Sequence, residues 1–349
     1  MLEQQIVLSW PTLIVARYGL MALRGCKLGC LHTLTATVFA TLLASTALAQ
    51  QEYPARSIRI INPFAPGTGY DGIARVLSQR FIADWGQPAV LENRAGAGGI
   101  IGAEAVAKSA PDGYTLLVST ASLAVNATLM PKLPFDVRRD LVPITEIVSS
   151  GVVIVVHPSV PARNLKELLA LAKSHKDGLN FGSNGTGTTS HLAGAWLQQL
   201  SGLNFTHIPY KGQSLAFTAV IGGEVEIALP GSSAAVQGMI ATKKLRGIAV
   251  TMLHKSKLLP DLPLVASVFP GFEVDNWFAM WAPAGTTPAI TNKLHAQLVK
   301  SLQHPDMRPA LQGDIQVVGS SPMEFAAYLN REIDKYAKII KASGAKPDA

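Results

Sequence analysis

Between residues 58 and 341, short β-branched runs take turns with longer stretches of helical period, and this alternation restricts the fold more than any other feature. The strand-like runs are 58–62, 89–92, 115–119, 152–156, 179–181, 205–208, 226–229, 245–250 and 277–282. The helix-like stretches are 71–84, 100–108, 165–173, 190–200, 215–221, 234–241, 288–303 and 322–341. Such a chain forms α/β layers, and its apolar runs predict mainly parallel sheets buried under helices. At 349 residues there is enough chain for two domains. Only 15% of residues are charged, against about 25% in an ordinary soluble domain, which excludes a highly charged, disordered protein.

Several helix ends carry their own chemistry. Asn164 precedes Leu165 and Glu167 as an N-cap. Thr287-Pro288 sets a capping hydroxyl before a proline at the first helical position. Ser321 and Glu324 form a capping box. Phe325, Leu329, Ile333 and Tyr336 or Ala337 then mark one apolar face of the last helix. Trp277 and Trp281 read as core residues.

Residues 24–49 have the layout of a cleavable secretory signal: Arg24 and Lys27, an uncharged apolar stretch from Leu31 to Leu43, and Ala47-Leu48-Ala49 before Gln50. Met21 starts a leader of ordinary length, so residues 1–20 read as an extension of it. Removing residues 1–49 takes away Glu3, Arg17, Arg24 and Lys27 and leaves a chain of net charge +5 with no cysteine, since Cys26 and Cys30 lie in the leader. Such a chain is held by its core alone. The basic residues are scattered, so no nucleic-acid partner is expected.

Three glycine-rich loops join strand to helix. The first is Pro63-Phe64-Ala65-Pro66-Gly67-Thr68-Gly69-Tyr70-Asp71. The second is Gly182-Ser183-Asn184-Gly185-Thr186-Gly187-Thr188-Thr189-Ser190-His191. Backbone N–H groups beside a helix start suit an anion. An ordinary turn, capped by Asp71 in the first loop or by Thr188 to Ser190 in the second, explains the same residues. The second loop has Thr188 where a triphosphate loop requires lysine. The third, Arg94 to Gly102, departs from the dinucleotide spacing, and its glycines fit close helix–strand packing. No G-x-S-x-G elbow and no H-E-x-x-H spacing occurs, so neither a catalytic residue, a metal nor a cofactor is expected.

Together these segments resemble the extracytoplasmic substrate-binding receptors of tripartite tricarboxylate transporters, the TctC-like or Bug-type proteins. The resemblance is carried by Tyr53-Pro54, P-F-A-P-G-T-G-Y-D (63–71), E-N-R-A-G-A-G-G (92–99), A-P-D-G-Y-T-L-L (110–117), P-K-L-P-F-D (131–136), G-T-G-T-T-S-H-L-A-G (185–194), H-I-P-Y-K-G (207–212) and A-P-A-G-T-T-P (282–288). It implies a type II periplasmic binding fold: two α/β lobes, two crossovers and a ligand cleft. Residues 50–151 and 276–349 would form one lobe and 152–275 the other, with hinges near Val152 and Asp275.

The resemblance further implies a small organic carboxylate held by Phe64, Ala65, Pro66, Gly67, Thr68, Gly69, Tyr70 and Asp71 from one side. Ser183, Asn184, Gly185, Thr186, Gly187, Thr188, Thr189, Ser190 and His191 would hold it from the other, with Ser119 and Thr120 lining the cleft. Tyr70 stands where the family has a small residue or threonine. Pro230 stands where many members have an aspartate, so recognition of a ligand amino group is not expected. The implied protein is a periplasmic, monomeric, non-enzymatic receptor that delivers its ligand to membrane transporter subunits. The alternatives are an exported enzyme using Ser190, His191 and Asp71, or a ligand-sensing receptor component.

Overall fold

The computed structural model describes residues 53–347, apart from 65, 67–69, 131, 177 and 312. The expected leader at 1–49 lies outside the described residues, as do Ala65, Gly67, Thr68 and Gly69 of the first loop. Pro54–Ala349 form one compact unit.

The first half runs β1 (Ile58–Asn62), α1 (Asp71–Trp85), β2 (Ala89–Asn93), α2 (Ile100–Ala107), β3 (Thr115–Thr120), α3 (Ser122–Leu129) and β4 (Leu141–Gly151). The chain then passes into β5 (Val153–Val156), α4 (Leu165–Ser174), β6 (Leu179–Ser183), α5 (Thr189–Ser201), β7 (Phe205–Pro209), α6 (Gln213–Gly222), β8 (Ile227–Ala228), α7 (Ala234–Ala241) and β9 (Arg246–Val250). It returns through β10 (Asp275–Pro283), α8 (Pro288–Leu302), β11 (Gln316–Val317) and α9 (Pro322–Ser343). Two sheets result, a six-stranded one in the order β11-β4-β10-β3-β1-β2 and a five-stranded one in the order β7-β6-β8-β5-β9. The α/β class with two sheets and two chain passages between them is therefore what the chain forms.

The sheets are mixed, not mainly parallel as the sequence predicts. β1 pairs in parallel with β2 and β3, and β6 with β7 and β8. β10 lies antiparallel to β3 and β4, β11 to β4, and β5 to β8 and β9. The passages between the sheets impose this. β4 leaves the six-stranded sheet at Gly151 and β10 enters it at Asp275, and these two residues face each other in the ladder. Two strands that meet at one end, one leaving and one arriving, must run in opposite directions.

Three elements escape the sequence pattern altogether: the two-residue β11, β4 and α3. β4 carries Pro143, Thr145, Glu146, Ser149 and Ser150, so its eleven residues lack an apolar run. α3 buries Ser122, Leu123, Ala124, Val125, Asn126 and Leu129, and a helix buried on most sides shows no amphipathic period.

At the starts of α4, α8 and α9 local capping follows the sequence with one exception. The Asn164 side chain accepts from Glu167 N, and the Ser321–Glu324 capping box is complete. Thr287 occupies the N-cap with Pro288 after it, but its hydroxyl makes no capping bond. Its carbonyl oxygen instead accepts from both Ile290 N and Thr291 N, at 3.0 Å each.

The core around the six-stranded sheet contains Trp277, Trp281, Phe325, Leu329, Ile333 and Tyr336, so the apolar face of α9 packs as its spacing predicts. Leu192 of α5 joins this cluster although α5 follows a strand of the other sheet. One turn on, Trp196 packs against the clusters of both sheets and stacks on Phe272, with ring centres 4.6 Å apart. α5 thus ties the two halves together.

Candidate ligand-binding site

The two glycine loops start from the ends of parallel strands in different sheets, β1 in the six-stranded sheet and β6 in the five-stranded one. β1 and β3 run in parallel with Ile61 opposite Leu117, which sets Ser119 level with the start of the first loop. That loop is backed by amides. Asn93 Nδ2 donates to the Phe64 carbonyl at 2.9 Å, and Asn62 Nδ2 to Asp71 Oδ1 at 3.2 Å. Asp71 also pairs with Arg75 Nε at 2.8 Å. Its carboxylate is only 5% exposed and organises the loop from behind. α1 begins at Tyr70 without any side-chain cap, so the Asp71 capping reading of this loop does not hold.

Glycine has a specific use beside this loop. A Cβ on Gly102 would stand 2.8 Å from Pro63 Cβ and 3.1 Å from the Arg94 carbonyl oxygen. Only glycine lets α2 come this close to the loop. This is the packing use expected of the third glycine segment.

The second loop satisfies many of its own polar groups. Thr188 caps α5 by accepting from His191 N and donates to the Gly185 carbonyl at 2.6 Å. Ser190 Oγ accepts from Asn184 N at 2.9 Å and lies 2.9 Å from Thr188 Oγ1. Ser183 Oγ accepts from Gly185 N at 3.1 Å and meets His207 Nε2 at 2.6 Å. Ser183, Thr189, Ser190 and His191 are all buried. Gly187 N donates to His191 Nδ1 at 3.3 Å, which fixes the lone pair on that nitrogen. His191 in turn stacks on His207, with centres 4.1 Å apart. His191 thus supports the loop.

The loops meet through a residue that sequence reasoning did not single out. Asn126 Nδ2 donates to the Gly98 carbonyl at 3.1 Å. A Cβ on Gly187 would stand 2.5 Å from Asn126 Oδ1, and Gly187 has φ +77°. Gly99 in turn approaches Phe64, its Cβ position lying 3.6 Å from the Phe64 ring. Phe64, Gly99, Asn126 and Gly187 therefore form a continuous path from one loop to the other.

Two more polar residues, Asn276 and Gln213, approach Gly231 without a motif to mark them. At Gly231 a Cβ would stand 3.7 Å from Asn276 Nδ2 and 3.9 Å from Gln213 Oε1. Pro230, beside it, is buried and its carbonyl accepts from Val153 N at 2.8 Å. Thr120 Oγ1 accepts from Ser122 N at 3.3 Å. Ser119 is 2% exposed, and its hydroxyl makes no hydrogen bond among the described residues. Pro66 and Thr186 keep their places in the two loops.

Ser190 bonds Thr188 and Asn184, and Asp71 bonds Asn62 and Arg75. No group of three or more metal-ligating side chains occurs among the described residues. A groove of about 560 Å³ lies along α5 and α9, lined by Trp196, Gln199, Arg331, Lys335 and Lys338 among others, and takes no residue from either loop.

Comparison with known proteins gives this arrangement a context. Residues 73–345 match the family model described as tripartite tricarboxylate transporter family receptor, TctC. The chain is 36% identical to protein BugT of Bordetella pertussis over 312 residues, 88% of this chain and 95% of BugT. The solved structure of the periplasmic binding protein BugD superposes with a TM-score of 0.74 at 31% identity, covering 85% of this chain and all of BugD. MatC from Rhodopseudomonas palustris, solved with bound malate, superposes with a TM-score of 0.73 at 28% identity, covering 82% of this chain and all of MatC.

Proposed function

We propose, from the premise that the chain belongs to the tripartite tricarboxylate transporter receptor family, that it captures a small organic carboxylate between its two glycine loops and passes it to a membrane transporter. The observation that carries this reading is Ser119. Its hydroxyl belongs to a residue only 2% exposed and level with the start of the first loop, and the helix that ends this loop, α1, begins without a side-chain cap. A ligand carboxylate completes both: it accepts from the hydroxyl and from the first N–H groups of α1. The malate in MatC supports an acid of this size.

The remaining candidate residues take roles in this reading. Phe64, Ala65, Pro66, Gly67, Thr68, Gly69, Tyr70 and Asp71 form the first wall. Ser183 to His191 form the second, with Asn184 offering its amide and the other hydroxyls holding the loop in shape. Ser119, Thr120 and Pro230 line the floor, joined by Asn126, Gln213 and Asn276. Residues 50–151 and 276–349 act as one lobe and 152–275 as the other, bending near Val152 and Asp275. Closure excludes water and strengthens each hydrogen bond. The receptor works as a periplasmic monomer after removal of residues 1–49, and performs no chemistry on its ligand.

The test is a thermal-shift screen of the chain from Gln50, refolded from denaturant, against carboxylates, amino acids and neutral sugars. Malate or another small acid should raise the melting temperature saturably and be recovered unchanged. Recovery of a converted product would favour the enzyme reading, and a response to sugars alone would refute the carboxylate site.

A further inference from the structure

The two passages between the sheets are clamped on both sides by hydroxyl groups. On the five-stranded side, Thr251 is fully buried. Its Oγ1 accepts from Val152 N at 2.9 Å and donates to the Val274 carbonyl at 2.6 Å. One hydroxyl thereby joins the outgoing and the returning chain. On the six-stranded side, Ser150 and Asn276 are register partners, one residue pair from the point where β4 and β10 part. Tyr70, from the end of the first glycine loop, reaches this pair. Its hydroxyl lies 2.8 Å from Ser150 Oγ and donates to the Asn276 carbonyl oxygen. A carbonyl can only accept, so the tyrosine proton goes to Asn276, and the Ser150 hydroxyl, 3.3 Å from the same carbonyl oxygen, closes a three-membered cluster with it. The ring is 8% exposed and packs on Phe278 of β10 at 5.0 Å.

We infer that Tyr70 is a positioning residue that couples the first ligand loop to the hinge, so that the geometry of this loop and the closure of the lobes are set together. The inference rests on the receptor reading for the identity of the loop. Its physical content is separate. Gly151–Val152 and Val274–Asp275 lie between the two clamps, held otherwise by backbone bonds such as Ser232 N to the Gly151 carbonyl at 2.8 Å, and one of those clamps belongs to the first glycine loop. A small residue at position 70 would leave loop and hinge unconnected. Tyrosine spans the gap because its hydroxyl stands at the far end of a rigid ring with only two rotatable bonds.

The chain from Gln50 contains no cysteine, which makes site-specific labelling clean. Spin labels at Lys108→Cys, at the C-cap of α2, and at Lys173→Cys, on α4, both exposed positions beside different sheets, report the distance between the halves with no ligand added and again with malate. Tyr70→Phe keeps the ring and removes the bridge. It should raise the open fraction of the ligand-free chain about five- to tenfold while the unfolding midpoint stays near that of the parent. Ser150→Ala should have a similar effect alone and add less than about twofold in the Tyr70→Phe background, because both break one connection. Unchanged distances in Tyr70→Phe, or full additivity of the two, would overturn the inference and leave Tyr70 as a packing residue. If Tyr70→Phe fails to fold, Ser150→Ala alone decides: a widened distribution supports the coupling, an unchanged one refutes it. A parent chain that ignores malate counts against the receptor reading for that acid, while the ligand-free distances still decide on Tyr70.

Discussion

Gly187 is where a single atom has the largest expected consequence. Alanine there would set a methyl group 2.5 Å from Asn126 Oδ1 on a backbone with φ +77°. The path from the second loop to the first would have to separate. Gly187→Ala should weaken carboxylate binding at least about tenfold and cost about 1–2 kcal/mol of stability, read by calorimetric titration and by urea unfolding. Ser190→Ala acts more gently. It frees Asn184 N and removes a partner from Thr188, so binding should weaken by about 1–2 kcal/mol as the loop loses its shape. At this scale the sequence was legible where glycine and hydroxyl residues crowd together, as in 182–191. Asn126, Gln213 and Asn276 were not legible, because a single amide gives no periodic or spacing signal and only the folded chain brings it to the loops.

Three adjoining elements, α9, β4 and β10, enclose a set of acidic groups that sequence spacing does not reveal. Glu146 is pushed up to about 8, by burial first and then by the nearby Asp275, Glu332 and Glu273. Asp275 is pushed up to about 7, again by burial first and then by Glu273, with Lys335 opposing. Glu332 is held by Lys335 Nζ at 2.5 Å and by Trp277 Nε1 at 3.4 Å. Unfolded, Glu146 and Asp275 would lose their protons near pH 4. Folded, they keep them to about pH 7 and 8. The native state thus binds more protons across this interval, and stability falls as the pH rises through it. Melting temperature should be higher at pH 5 than at pH 8.5, and Glu146→Gln should flatten the difference, with a gain on the order of 2 kcal/mol at the higher pH. A melting temperature that rises over the same range would contradict this. β4 was missed in the sequence for the same reason that it matters here: its polar residues are buried by α9 and β10, a tertiary arrangement that overrides the local pattern.

The connection of the whole molecule depends on more than the two passages. Asp314, just before β11, accepts from Ser232 Oγ at 2.5 Å, from Ser256 Oγ, and from Lys257 N and Leu258 N at 2.6 and 2.9 Å. Burial works against the charge, but these bonds hold its carboxyl below the usual range. Asp314→Asn turns an N–H donor toward other donors and should lower stability by about 2–4 kcal/mol in urea unfolding. The α/β class and the order of most elements were readable from alternation alone. The mixed sheets were not, since strand direction at the passages is fixed by how the chain returns and not by composition. The membership of the receptor family makes carboxylate capture the central statement about this molecule. It is tested most directly by calorimetric titration of the refolded chain from Gln50 with malate and, in parallel, with its uncharged dimethyl ester. Saturable, one-to-one heat from the acid and none from the ester is the expected result. Equal binding of both, or of neither while a neutral compound binds, would contradict a site built to hold a carboxylate.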